Sequence, residues 1–232
     1  MAKTIKHALV FIILLGCLSQ AQPAFGEERR YALLVGIDQY RGGGITPLDG
    51  AVNDVRAIGK ALVQYAGFPE DNIFYLTSDA AAEEERPTNG NIAFRLEWLA
   101  DHLKSDDVLV FYFSGHALKE YLLTYNSDIR SQTTIATTAL SLAQLQQIFQ
   151  DIRASKVVKV MDACRSGPVR GKGDKDNLLT QEFVRGITVS PSGKSQAPVQ
   201  VYASLFSCLL DQRAFEWPAK RRGFFPITWK KG

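Results

Sequence analysis

Residues 108–117 read Val-Leu-Val-Phe-Tyr-Phe-Ser-Gly-His-Ala, and residues 157–167 read Val-Val-Lys-Val-Met-Asp-Ala-Cys-Arg-Ser-Gly. Each begins as a short apolar run, Val108 to Phe113 and Val157 to Met161, and ends in small and polar residues. Such a run, bounded by turn-forming residues, reads as a buried strand. Working outward, Tyr31 to Ile37 is another, ending at Asp38. Ile73 to Leu76 and Val199 to Phe206 add two more, and Tyr121 to Tyr125 is a further candidate. Between them apolar residues recur at helical spacing. They do so over Val52 to Tyr65, from a Thr88 cap to about Leu103 through Ile92, Leu96 and Leu99, and from Ser141 through Leu142, Leu145, Ile148 and Phe149. Strands alternating with helices imply crossover connections and a largely parallel sheet covered on both faces, an α/β fold. In such sheets functional groups gather at the carboxyl ends of strands.

Composition narrows the function classes. The chain has 232 residues, 46% hydrophobic and 22% charged, with a formal net charge of +3. It is too apolar for disorder, and too weakly charged to imply a nucleic-acid partner. Three cysteines and three histidines exclude a disulfide framework and leave little for a zinc site, so no metal is expected. Residues 1–26 read as a signal peptide: Lys3, Lys6 and His7 are a basic start, and Ala8 to Leu15 is an apolar run too short to span a bilayer comfortably. Ala24 and Gly26 are the small residues a signal peptidase reads. The protein is therefore expected to be exported, periplasmic or secreted, with no stable membrane span once the signal is removed. Leu14-Leu15-Gly16-Cys17 also resembles a lipoprotein cleavage box, which would instead leave a lipid anchor on Cys17; an uncleaved anchor is the third reading. Pro168 to Lys194, rich in Gly, Lys, Asp and Ser, reads as a long mobile loop. Glu83 to Glu85 reads as a solvated loop.

The two strand ends carry the chemistry. One presents His116 and the other Cys164. A thiol with an ordinary pKa of about 8.5 is only partly ionised at neutral pH. An imidazole beside it stabilises the thiolate or takes its proton, then protonates a leaving amine. Backbone N–H groups at Cys164 and Ala117 are the candidate oxyanion donors. Each residue also has a plainer reading. Cys164 is then a small core residue, Ser114 a turn residue, Asp162 a turn cap and Asp54 a solvated helix carboxylate. Cys208 reads as core packing and His102 as an ordinary helix residue.

Phe113-Ser114-Gly115-His116 and Asp162-Ala163-Cys164-Arg165-Ser166-Gly167 resemble the catalytic motifs of caspase-like cysteine peptidases, above all the metacaspases and their bacterial relatives. His116 precedes Cys164 by 48 residues, close to the caspase spacing of about 50. Val35-Gly36-Ile37, Asn53-Asp54-Val55, Leu205-Phe206-Ser207-Cys208 and Gly223-Phe224-Phe225 resemble further family segments in the family's order. The resemblance implies a caspase-like three-layer α/β/α sandwich over residues 27–225, with protein or peptide substrates and a His116/Cys164 dyad. Caspases carry Gln where this chain has Asp162, in a pocket that takes aspartate. The metacaspase pattern has Asp there and an acidic match to Asp54. By resemblance Asp54 and Asp162, with Ser114 supporting, line a pocket for Arg or Lys. The dyad calls for no cofactor; Ca²⁺ activation and oligomeric state are left open. Family members usually continue past Gly-Phe-Phe, so the tail 226–232, opening on Pro226, reads as short or truncated. The basic residues Arg170, Lys172, Lys175 and Arg185 make the loop at 168–194 an expected self-cleavage site. The alternative class is a weak or inactive caspase-like scaffold, motivated by the short tail and by Ala117 in place of the usual glycine. A small-molecule hydrolase using the same dyad is a third reading.

Overall fold

The computed structural model describes residues 28–118, 120–164, 181–188, 201–206, 216–217 and 222–223. The export segment, with His7 and Cys17, lies outside them. So do Gly167, Cys208, the tail 226–232 and most of 168–194.

Five strands run parallel in the order β2-β1-β3-β6-β7: β1 Arg30–Gly36, β2 Ile73–Thr77, β3 Val108–Leu118, β6 Lys156–Cys164 and β7 Val201–Phe206. Two short strands, β4 Tyr121–Leu122 and β5 Leu140–Ser141, extend the sheet antiparallel from the far end of β3. The candidate strand at Tyr121 is thus a two-residue hairpin arm. A separate small hairpin pairs β8 Glu216–Trp217 with β9 Arg222–Gly223.

Helix α1, Ala51–Ala66, covers one face of the sheet. Its Val55, Ile58 and Leu62 pack on Ala32, Leu34, Tyr112 and Val160. The opposite face is covered by α2 Asn89–His102, α4 Leu142–Asp151 and α5 Gln181–Thr188, around Leu33, Leu109, Phe111, Phe113 and Met161. The expected sandwich is what forms. A short helix, α3 Gln132–Thr138, closes the β4–β5 connection behind a capping box between Ser131 and Thr134. Periodicity gave no sign of it, because only Ile135 in it is a buried apolar residue. Thr88 and Ser141 cap α2 and α4, accepting from Asn91 N–H and Gln144 N–H.

Two departures matter. Both motif-bearing strands run past their apolar stretches. β3 continues through Ser114 to Leu118 and β6 through Asp162 to Cys164, so the chemical residues sit in the sheet itself. Ladder pairing between β3 and β6 extends all the way to His116 and Cys164, which overrides the break signalled by Ser and Gly. The second departure is α5, which lies inside the segment read as a loop. Its Phe183 and Ile187 are buried against the apolar face, and two apolar residues four apart anchor one short amphipathic helix. The exposed Glu83 to Glu85 form a single 3₁₀ turn.

Candidate active site

The site grows from the end of β1. Gly36 is required there: a Cβ would lie 2.8 Å from both the Ala51 carbonyl oxygen and the Val55 side chain. That close approach seats the start of α1 on the sheet. The helix has Gly50 at its N-cap and no local side-chain cap. Asp38 caps it instead, accepting from Ala51 N–H at 2.7 Å and Val52 N–H at 3.4 Å. The same residue donates its own N–H to Ser78 Oγ at 2.9 Å. Arg41 N–H reaches the Tyr125 carbonyl at 2.7 Å. The loop between β1 and α1 is thereby tied down on both sides, and it supplies Tyr40 and Thr46.

His116 sits on β3 and is only 2% exposed. Its Nε2 lies 2.8 Å from the Thr46 carbonyl oxygen. A carbonyl can only accept, so Nε2 carries the proton and the neutral ring keeps an unprotonated Nδ1. The Tyr40 ring stacks on the imidazole at 5.4 Å, and its hydroxyl accepts the His116 backbone N–H at 2.8 Å. Gly115 makes room for that hydroxyl, since a Cβ there would lie 3.1 Å from it. On the same side of the strand the His116 carbonyl accepts from Leu123 N–H at 2.9 Å. Backbone groups alternate along a strand, so the Ala117 N–H is aimed at the opposite edge, along which β6 runs. His116 and Cys164 occupy facing register positions, as do Ser114 and Asp162. Neighbouring strands run about 4.8 Å apart.

Beside the histidine lies an acidic cluster. Asp54, in the first turn of α1, is 1% exposed, and Asp162 is 6% exposed. Asp54 is therefore no solvated carboxylate. The fully buried Tyr112 hydroxyl donates to Asp162 Oδ2 at 3.2 Å, with Ser114 close by. Burial, then the charges of Asp162 and Asp54, push this phenol well above the usual tyrosine range. The structure therefore gathers Asp54, Ser114 and Asp162 around one hydroxyl, next to His116.

The chain matches the family description "Metacaspase, peptidase C14 domain" over residues 30–170. It belongs to the metacaspase family. Metacaspase-3 of Arabidopsis thaliana is 34% identical over 155 residues, covering 62% of this chain and 41% of that protein. Metacaspase-1 of Yarrowia lipolytica is 37% identical over 168 residues, covering 64% of this chain and 36% of its own length. The chain thus spans about two fifths of the length of these curated relatives. Among solved structures, a caspase-1 from Spodoptera frugiperda superposes with a TM-score of 0.53 at 14% identity, covering 88% of this chain and 68% of its own. A Geobacter sulfurreducens protein gives 0.58 at 15%, covering 88% and 83%. Both likenesses concern the fold.

Within this metacaspase domain, sequence reading missed Tyr40, Thr46 and Tyr112. Tyr112 had a signal, since 112, 114 and 116 share one face of a strand. Thr46 acts through its backbone carbonyl and has none. Tyr40 sits just past the Gly-Ile-Asp end of β1, with nothing in the pattern to tie it to His116. His102 lies at the exposed end of α2, where its Nδ1 reaches the Trp98 carbonyl at 2.7 Å. Arg185 lies within α5, which is not the extended backbone a peptidase takes; Arg170, Lys172 and Lys175 fall outside the described residues. No helix among the described residues is long and apolar enough to cross a membrane.

Proposed function

We propose that the chain is a cysteine endopeptidase that hydrolyses peptide bonds after Arg or Lys. One observation carries the reading: the residue in register with Cys164 is a histidine whose tautomer is set by the Thr46 carbonyl. Cys164 gives its thiol proton to His116 Nδ1, and the thiolate adds to the scissile carbonyl carbon. The imidazolium is stabilised through Nε2–H by Thr46. For the backbone N–H groups of Ala117 and Cys164 to receive the oxyanion, the last ladder bonds between β3 and β6 must open, because pairing to His116 and Cys164 turns the Ala117 N–H toward the facing strand. As the tetrahedral adduct collapses, the C–N bond breaks and the imidazolium proton goes to the departing amine. A thioester remains. Water adds to it as His116 takes the water's proton, the C–S bond breaks, and carboxylate product and thiol are restored.

The basic preference rests on Asp54 and Asp162. Two buried carboxylates are costly side by side, and a guanidinium or ammonium entering from the substrate offsets that cost with charge-assisted hydrogen bonds. The signal-like pattern at residues 1–26 supports export of this activity, as a periplasmic or secreted protein or one lipid-anchored through Cys17.

A panel of reporter peptides with Arg, Lys or Asp before the scissile bond tests this, with and without Ca²⁺ and with Cys164→Ala as control. Cleavage after Arg and Lys that disappears in the variant is the expected result. Cleavage after Asp alone would overturn the pocket and spare the dyad. A folded sample that cleaves nothing would make the domain a scaffold.

A further inference from the structure

We propose that Tyr112 is a positioning residue of the specificity pocket, holding Asp162 in the one orientation that receives an arginine guanidinium edge-on. The proposal rests on the pocket reading above and deepens it. Its starting point is a contrast along β3. Phe111 and Phe113 fill the apolar face with plain rings, whereas Tyr112, between them on the other face, adds a hydroxyl in the sheet interior. A buried hydroxyl costs free energy unless it is hydrogen-bonded. This one donates to Asp162 and lies close to Ser114, both assigned to the pocket on other grounds.

The direction of that bond matters. Tyr112 donates to Asp162 Oδ2 at 3.2 Å, and Ser114 lies close to the same hydroxyl. The carboxylate is thus fixed by a neutral donor. A lysine or arginine in this place would also fix it, but would supply the cation that the pocket is meant to take from the substrate. Tyr112 orients the carboxylate without adding a positive charge of its own. Its elevated ionisation keeps it a donor at any working pH. The Asp54 carboxylate lies near enough to act on the same hydroxyl.

Orientation and charge have different consequences for the two basic side chains. A guanidinium is planar and binds a carboxylate through two parallel bonds, so it needs the carboxylate held in plane. An ammonium is a point charge and tolerates a carboxylate that swings. Loss of the tyrosine hydroxyl therefore penalises Arg substrates more than Lys substrates.

The test is Tyr112→Phe, which keeps the ring that packs on Leu34 and Val160. The expected result is a rise of about 10-fold in KM for Arg peptides and of about 2-fold for Lys peptides, with kcat near the parent value. The rate at which iodoacetamide, small and uncharged, alkylates Cys164 stays unchanged. In an Asp162→Asn background the same substitution adds nothing further, because Tyr112 acts through Asp162. Equal losses on Arg and Lys peptides, no loss at all, or a parallel fall in alkylation rate would each overturn the role of Tyr112 while leaving the pocket standing. A parent protein with no preference for Arg or Lys over Asp would overturn the pocket and the role together.

Discussion

The two faces of β3 and β6 use the same backbone for opposite purposes. Odd-numbered residues of β3, Leu109, Phe111 and Phe113, and their partners Val157, Met161 and Ala163 on β6 face α2, α4 and α5 and are apolar, with Lys159 opposite Phe111 as the exception. Even-numbered residues start the same way, with Val108, Val110, Val158 and Val160 against α1. They then turn polar at Tyr112 and carry Ser114, His116 and Asp162. Period-2 alternation lets one strand pair hold a core on one side and build a reaction centre on the other. The apolar face supplies the rigidity that a preorganised site needs; burying each large side chain contributes roughly 1.5–3 kcal/mol.

Substitutions on each face should separate these roles. On the polar side, Cys164→Ala is expected to lower peptide hydrolysis by about 10³-fold or more with the melting temperature unchanged, read by reporter cleavage and thermal unfolding. An equal drop in stability would mean that the residue serves packing. On the apolar side, Leu96 is fully buried between α2 and the sheet. Leu96→Ala should cost about 3 kcal/mol and lower Tm by roughly 10 °C, while the folded fraction keeps its kcat. The smallest effect concerns Lys159, the buried cation on the apolar face. Its Nζ donates to the Ile187 carbonyl near the end of α5 and lies 4.9 Å from the Phe149 ring centre. Burial lowers its pKa to about 7. The unfolded chain, with an ordinary lysine, keeps its proton to about pH 10. Between these values the unfolded state binds more protons, so stability rises with pH. The Tm of the parent relative to Lys159→Met should climb from about pH 7 to about pH 9. A constant difference would show that Lys159 stays protonated.

The apolar half of this comparison was legible in the sequence, because its signal is periodic. Ile92, Leu96 and Leu99 mark α2, and the runs at 31, 73, 108, 157 and 199 mark all five parallel strands. The polar half was legible only in part. His116, Cys164, Asp162, Ser114 and Asp54 stand out as residue types at strand ends or by resemblance. Their continuation of the strands did not, since Ser-Gly signals a turn and only pairing with the neighbouring strand reverses it. The Thr46 carbonyl was invisible because any residue supplies one. Helix α5 was masked by the Gly and Lys content around it.

The central claim, that the polar face joins a cysteine nucleophile to a pocket for a basic side chain, is tested most directly by affinity labelling. A peptide chloromethyl ketone ending in arginine is incubated with the protein, and the modified residue is mapped by mass spectrometry. The account predicts stoichiometric labelling of Cys164, with an aspartate-ended reagent reacting at least about 100-fold more slowly. Labelling elsewhere, or equal rates for the two reagents, would contradict it.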